Sequence, residues 1–395
     1  MKHLGIIRKD ISLTKYFGVF RKKISLWEAV ALIVSGTIGA GILGMPYAIA
    51  QLGLVPGFFL IIFLGLLMMG LNLLLGDVAI RTGKRFQLVG FAKTYLGVWG
   101  EYAMMIMFYT ILFGALVVYI IGVGSSLSAL FGGAAFIWSL VFYFFASLCI
   151  MTGLRTVKVV ELILMTCILF VVVCIFLWAA PSFSISNMLY VQIPAFFVPY
   201  GIILFAFHGT NAVPEAYGLL KHARKDFRRA ICYAAIINCI VYCLFVFSVV
   251  GVTGIGTTEI ATVGLGDALG RGMVVAGNIF AVLAMATSFL LIALSFRDSL
   301  CWDYKLPQIL ALVCVLVPPL VMFVLGMRGF ITVLSVVGGI AVSIEMLLIL
   351  LIYIRARRQK QLKKEDFSVR YGYTLVLMLL FVLFIGAFQT IIDIF

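Results

Sequence analysis

Charge is the scarcest commodity in this chain. Only 11% of its 395 residues are Asp, Glu, Lys or Arg, and residues 29–76, 102–154, 162–214 and 230–258 contain none of them. Such runs are too long for a soluble core. A bilayer core needs about 20 apolar residues per helical span, so each run holds one or two spans. The segments left over are short, which excludes a second domain of about 50 residues or more. The motifs of soluble enzymes are missing too: there is no HExxH, no GxSxG and no GxxxxGK[ST] phosphate loop. Cysteine is present eight times but never as CxxC, and none of the eight lies in an expected external loop, so neither a disulfide framework nor a structural zinc site is expected. The stretch 251–256 is glycine-rich and reads as an external turn.

What is there is 64% hydrophobic residues and a net charge of +14. The positive charge is not one patch, which argues against nucleic acid as a partner. It flanks apolar runs in alternate gaps. Eleven helices are predicted, at 26–51, 54–78, 101–131, 134–153, 157–180, 194–219, 228–253, 271–297, 306–325, 328–353 and 371–392. Of the 29 Lys and Arg residues, 27 fall in alternate gaps and only Arg271 and Arg328 in the opposite ones. The positive-inside rule then puts the N-terminus in the cytosol and, with an odd count, the C-terminus outside. The expected organisation is a cytosolic arm over 1–25, a first five-helix repeat over 26–180, a second over 194–353, and an eleventh helix over 371–395. The arm has no apolar core of its own, and the first span serves as an uncleaved insertion signal.

Two of the spans are built to break. The first contains Ser35-Gly-Thr-Ile-Gly-Ala-Gly-Ile-Leu-Gly-Met-Pro46, with four glycines and a proline in twelve residues. Each Gly costs a helix about 1 kcal/mol relative to Ala. Close helix packing through small residues would explain one such stretch. The sixth span contains Phe207-His-Gly-Thr-Asn-Ala-Val-Pro-Glu215, an interruption in the matching place five spans later. Irregular backbone at membrane depth persists only where it lines a cavity or is covered by protein. Matching interruptions point to a transporter site between two repeats, and five helices per half require the repeats to be inverted. Half-helix N-termini offer N–H groups to an anion and the opposite ends offer carbonyls to a cation. A zwitterion fits both, so the expected ligand is an amino acid.

These same residues carry a family resemblance. Gly36-Thr-Ile-Gly-Ala-Gly-Ile-Leu-Gly-Met-Pro-Tyr-Ala48 resembles the first span of the amino acid/auxin permease group, within the amino acid–polyamine–organocation superfamily. Phe205 to Glu215 with the basic loop that follows is similar to its sixth span, and Ala284-Met-Ala-Thr-Ser-Phe289 to its eighth. The resemblance implies an all-α polytopic membrane protein with the LeuT-type five-plus-five inverted repeat and one appended helix. It further implies a substrate carboxylate against the backbone N–H groups of Gly39, Ala40 and Gly41, with Thr37 adding a hydroxyl. The ammonium would meet carbonyls of Phe205 and Phe207, and selectivity would come from His208, Thr210, Asn211, Phe108 and Tyr109.

In sodium-coupled relatives two adjacent hydroxyls on the eighth span join carbonyls around Na⁺. Carried over, the ion site is Thr287 and Ser288 with carbonyls of Ser35, Ile38 and Ala284, an oxygen-only set suited to a hard cation. The bland reading is that both hydroxyls bond back into their own helix. Some proton-coupled relatives use a lysine amine from the fifth span instead. Here the middle of that span is Leu164-Met-Thr-Cys-Ile-Leu169, and Lys158 lies near the cytosolic end. That tilts the expectation to Na⁺ and leaves H⁺ open. Glu28, Glu161, Glu215, Glu345 and His208 are the protonatable groups within or near spans, and an intramembrane ionisable group is a functional candidate by default. Glu28 and Glu161 suit helix N-termini and Glu215 suits a half-helix cap. Glu345 and His208 are therefore the proton-relay alternatives.

The expected function is an ion-coupled symporter importing an amino acid across the cell membrane by alternating access, with no cofactor beyond the coupling ion and no obligate protein partner. Its alternatives are a proton-coupled aromatic amino acid permease and, from another class, an amino-acid-sensing receptor subunit on the same fold.

Overall fold

The computed structural model describes residues 18–84, 86–152, 157–220, 223–303, 305–359 and 372–394. The expected cytosolic arm thus lies mostly outside the described residues, as do the side chains of Lys158 and Glu161.

The chain is a succession of apolar helices. The first predicted span is a broken pair, α1 (Gly18–Thr37) and α2 (Gly41–Leu52), bent by 59° at the break. Then come α3 (Leu54–Thr82), α4 (Leu88–Phe131), α5 (Ala135–Thr152) and α6 (Val157–Ala179). After a short helix α7 (Ser186–Leu189), the sixth span is again a pair, α8 (Val198–Ala206) and α9 (Ala212–Leu220). The second half continues with α10 (Arg224–Thr253), α11 (Ala261–Leu269), α12 (Arg271–Asp303) and α13 (Gln308–Val324). The tenth span is α14 (Phe330–Val336), a π-helical turn over Val337–Val342, and α15 (Ser343–Gln359); α16 (Gly372–Ile394) closes the chain. Among the described residues six helices are individually long and apolar enough to cross a bilayer, and the bent α1–α2 pair makes a seventh. The other predicted spans are shorter apolar helices, or the pair α8–α9, each half of which has nine residues.

Two boundaries differ from expectation for identifiable reasons. The gap predicted before the third span is partly helical, because α4 already starts at Leu88. Gly97, at φ 76°, bends this opening segment away from the apolar run that follows. Only a residue without Cβ adopts that angle cheaply. The stretch after α10, expected as an external turn, also contains a helix, α11, packed on α12. Its composition, Ala-Thr-Val-Gly-Leu-Gly-Asp-Ala-Leu, is too short and too glycine-rich to announce itself.

Half-helices of the two breaks pack crosswise: α1 lies on α9 and on α10, and α2 lies on α8 and on α10. With α3 they form a bundle. A second group, α4, α5, α12 and α13, packs among itself. Lipid tails are as apolar as Leu, so such helices associate by close packing rather than by burial from water. A Cβ on Gly36 would stand 2.9 Å from the Ala212 Cβ, and one on Gly41 would stand 2.5 Å from the Ala206 Cα. The small residues of the first span therefore serve close packing as well as the break.

Candidate functional site

Both breaks fall where the glycines and prolines predict. Backbone helix stops at Thr37 and restarts at Gly41, and it stops at Ala206 and restarts at Ala212. In the first break Ile38 still donates to Val34 O at 2.9 Å, and Leu43 donates to Ala40 O at 3.0 Å as α2 begins. Between these bonds, Gly39, Ala40 and Gly41 present the N-terminal end of α2, which favours negative charge. In the second break the Phe207 and His208 amides close onto Ile203 O and Phe205 O at 2.9 and 3.1 Å. The C-terminal end of α8 thus presents the carbonyls of Phe205, Ala206 and Phe207 close to α2.

The two breaks are stitched together. Tyr242 on α10 donates to Ala206 O at 2.5 Å and lies 3.3 Å from Thr37 O, so one hydroxyl holds an end of each broken helix. Thr37 donates to Ile33 O at 2.7 Å, and its Oγ1 fills the space a Cβ on Gly209 would need. Tyr119, on α4, covers the first break. A Cβ on Gly39 would stand 2.7 Å from its hydroxyl, which also lies in hydrogen-bonding reach of the Ala40 backbone and of the Ser288 side chain.

The second break meets the tenth span in a polar cluster. Thr210 Oγ1 donates to Glu345 Oε1 at 2.7 Å. His208 Nε2 lies 3.1 and 3.2 Å from the two Glu345 oxygens and 3.1 Å from Thr210 Oγ1. Glu345 is 0% exposed, and it stands in the first turn of α15, just past the π-helical turn. A π turn adds one residue to a helical repeat and so re-aims the side chains after it. Nearby, the Tyr200 and Ser343 hydroxyls share a bond of 3.0 Å. A carboxylate fully inside the membrane is expensive unless it is paired or protonated. Here its partners are an imidazole and a hydroxyl.

The structure thus gathers Thr37, Ile38, Gly39, Ala40, Gly41, Phe205, Phe207, His208, Thr210 and Asn211 at the two breaks. Asn211 has a buried Oδ1 that meets no donor. Phe108 and Tyr109 lie elsewhere. Tyr109 stacks on Phe296 at 4.6 Å, and ten helical residues place it about 15 Å along α4 from Tyr119. Of the ion-site candidates, Ser35 donates to Leu32 O at 3.2 Å, and Thr287 donates to Leu283 O and Ala284 O at 2.8 and 3.0 Å. Ala284 is buried in α12, while Ser288 reaches Tyr119. Tyr119 and Tyr242 escaped the sequence reading. Tyr119 lies nearer the middle of the predicted third span than Phe108 or Tyr109 does, and that depth was the usable signal.

Two broken helices, packed half against opposite half and lined with polar groups, define a membrane transporter of the LeuT-type fold. The same fold is found in MhsT, solved in complex with L-phenylalanine (TM-score 0.68, 15% identity, 93% of this chain and 98% of that one). It also occurs in Mhp1, a nucleobase-cation-symport-1 family transporter solved with bromovinylhydantoin bound (TM-score 0.58, 12% identity, 92% and 90%). The chain belongs to the tryptophan/tyrosine permease family, which it matches over residues 22–392. It is 25% identical to glutamine transporter 2 of Aliivibrio fischeri, over 84% of this chain and 89% of that protein. It is 27% identical to the tyrosine-specific transport system 2 of Haemophilus influenzae, over 78% and 82%. It is a multi-pass membrane transporter of the amino acid class and not an enzyme.

Proposed function

We infer that this chain imports an aromatic amino acid together with a proton, by alternating access across the cell membrane. The observation that carries the reading is the buried His208–Thr210–Glu345 cluster on the second break. Adding one proton to this cluster changes its charge by one unit where water is excluded. His208 follows directly on Phe207, whose carbonyl faces the substrate in this reading. A ligand shifts a two-state equilibrium only by its differential affinity for the two states. Protonation that alters the Glu345 bonds to both Thr210 and His208 supplies such a difference.

The zwitterion is accommodated by backbone. Its carboxylate takes the N–H groups of Gly39, Ala40 and Gly41, displacing or sharing the Tyr119 hydroxyl, with Thr37 beside it. Its ammonium takes the Phe205 and Phe207 carbonyls. The family and the tyrosine-specific relative support an aromatic side chain. A sodium site at Ser35, Ile38, Ala284, Thr287 and Ser288 is the second reading: Thr287 donates to Leu283 O and Ala284 O and Ser288 lies in reach of Tyr119, bonds that leave oxygen lone pairs for a cation. The finer placement in the amino acid/auxin permease group, the cytosolic N-terminus, the external C-terminus and independence from a protein partner belong to the same proposal. The first-span motif supports the family placement, and the basic gaps support the orientation of the termini.

The test is uptake of radiolabelled tyrosine or tryptophan into proteoliposomes holding the purified chain. An inward proton gradient should drive accumulation without sodium. Accumulation driven by sodium alone would transfer the coupling role to the eighth span, and binding without flux would favour the sensor reading.

A further inference from the structure

Asn72 on α3 and Asn238 on α10 line one small cavity within the bundle, and each carries a buried Oδ1 that no donor in the protein meets. The residues are only 7% and 2% exposed. A buried acceptor without a donor bears its desolvation cost uncompensated, and most native proteins contain few of them. Two around one cavity call for a ligand that donates.

The cavity touches both breaks. Thr37, the last residue of α1, and Phe207, at the end of α8, are part of its wall. Gly65, Met68 and Met69 supply much of the rest. No charged side chain lines it, so it suits neither an acidic nor a basic substrate side chain. There is room for about one water-sized group, which fits the terminal O–H or N–H of a side chain but not its ring. Entry of a ring requires the neighbours to yield. Methionine, unbranched and with three rotatable bonds, is the side chain best suited to that. The Phe207 ring, edge-on to Tyr242 at 4.8 Å, fills the adjoining space.

We propose that Asn72 and Asn238 form the specificity subsite for the tip of the substrate side chain, and accept a hydrogen bond from a phenol O–H, an indole N–H or a carboxamide N–H. The assignment rests on the import reading above and narrows it to amino acids whose side chains end in a neutral donor. A phenol O–H or an indole N–H meets one of the two oxygens and a carboxamide NH2 can meet both, whereas phenylalanine and methionine, which approximate the shapes of tyrosine and glutamine, offer no donor and meet neither. A site built to bond a substrate hydroxyl or amide rejects the analogue that lacks it far better than an apolar pocket rejects a size variant.

The experiment is competitive uptake into proteoliposomes, tyrosine against phenylalanine and glutamine against methionine. Wild-type protein should favour at least one donor-bearing member by about 10- to 100-fold. Asn238→Leu and Asn72→Leu should each bring that ratio down to about threefold or less, with phenylalanine uptake retained or raised. Thermal stabilisation of wild-type protein by tyrosine against phenylalanine gives a second readout that needs no variant. A wild-type preference near unity in both assays, or an unchanged ratio in both Leu variants, overturns the subsite and leaves the asparagines as internal packing. Absence of uptake for every amino acid overturns the import reading itself, which distinguishes the two failures.

Discussion

Glu345→Gln separates the coupling ion from the substrate. The substitution keeps the shape of the side chain and an acceptor for the 2.7 Å bond from Thr210. Its amide nitrogen, standing in place of Oε2, can also meet His208, now 3.2 Å from that oxygen. What it removes is the carboxylate oxygen that takes up and releases the proton in the proposed coupling. The side chain is 0% exposed and its hydrogen-bond partners are kept, so folding should not suffer. One inward proton per substrate across a gradient of one pH unit supplies about 1.4 kcal/mol. A potential of 100 mV adds about 2.3 kcal/mol per charge. Together these sustain roughly 500-fold accumulation, at about 1.4 kcal/mol per factor of ten. Without the proton a zwitterion carries no net charge, and neither gradient can concentrate it. The assay compares wild type and Glu345→Gln in proteoliposomes under an imposed pH step, and then in substrate counterflow with no gradient. Gradient-driven accumulation should vanish in the variant while counterflow persists. If the variant still concentrates substrate several-fold on a pH step alone, Glu345 does not carry the proton.

Three further outcomes follow from the packing. Gly209→Ala should block uptake by driving a methyl into Thr37 Oγ1, and Thr37→Ala in the same chain should restore part of it; a double-mutant cycle without coupling between the two would refute the contact. Tyr242→Phe should lower stability by about 1–3 kcal/mol, read as a fall in the thermal midpoint of the purified protein, because the Ala206 carbonyl loses its 2.5 Å donor. Arg81→Met should cost about 3–5 kcal/mol by removing a cation 2.7 Å from the buried Asp77 side chain, and Asp77→Asn added to it should recover most of that loss in the same measurement.

Much of this architecture is written locally. The glycines of 36–44 and the Gly209–Pro214 stretch break helices by their own backbone preferences, so both interruptions could be read without a fold. Apolar length likewise announced most spans. The site's partners could not be read this way. His208 and Glu345 each stood out as ionisable groups inside the membrane, yet 137 residues separate them and only the packing of α8 against the tenth span brings them together. Tyr242 and Tyr119 reach the breaks from α10 and α4 as two among 16 tyrosines, with no motif to mark them. Asn72 and Asn238 are similarly silent until a shared cavity joins them. The tenth span's π turn contains Gly338, which packs closely on α8, a contact that is tertiary in origin.

The account rests on bare peptide dipoles at two helix ends holding one zwitterion, and ligand competition on purified protein tests that most directly. Tyrosine should displace bound radiolabelled substrate, whereas tyramine, which lacks the carboxylate, and 3-(4-hydroxyphenyl)propionate, which lacks the ammonium, should each compete at least about 100-fold less well, since each forfeits hydrogen bonds involving a charged group. Equal competition by either analogue would mean that the matching helix end does not bind substrate, and would contradict the site described here.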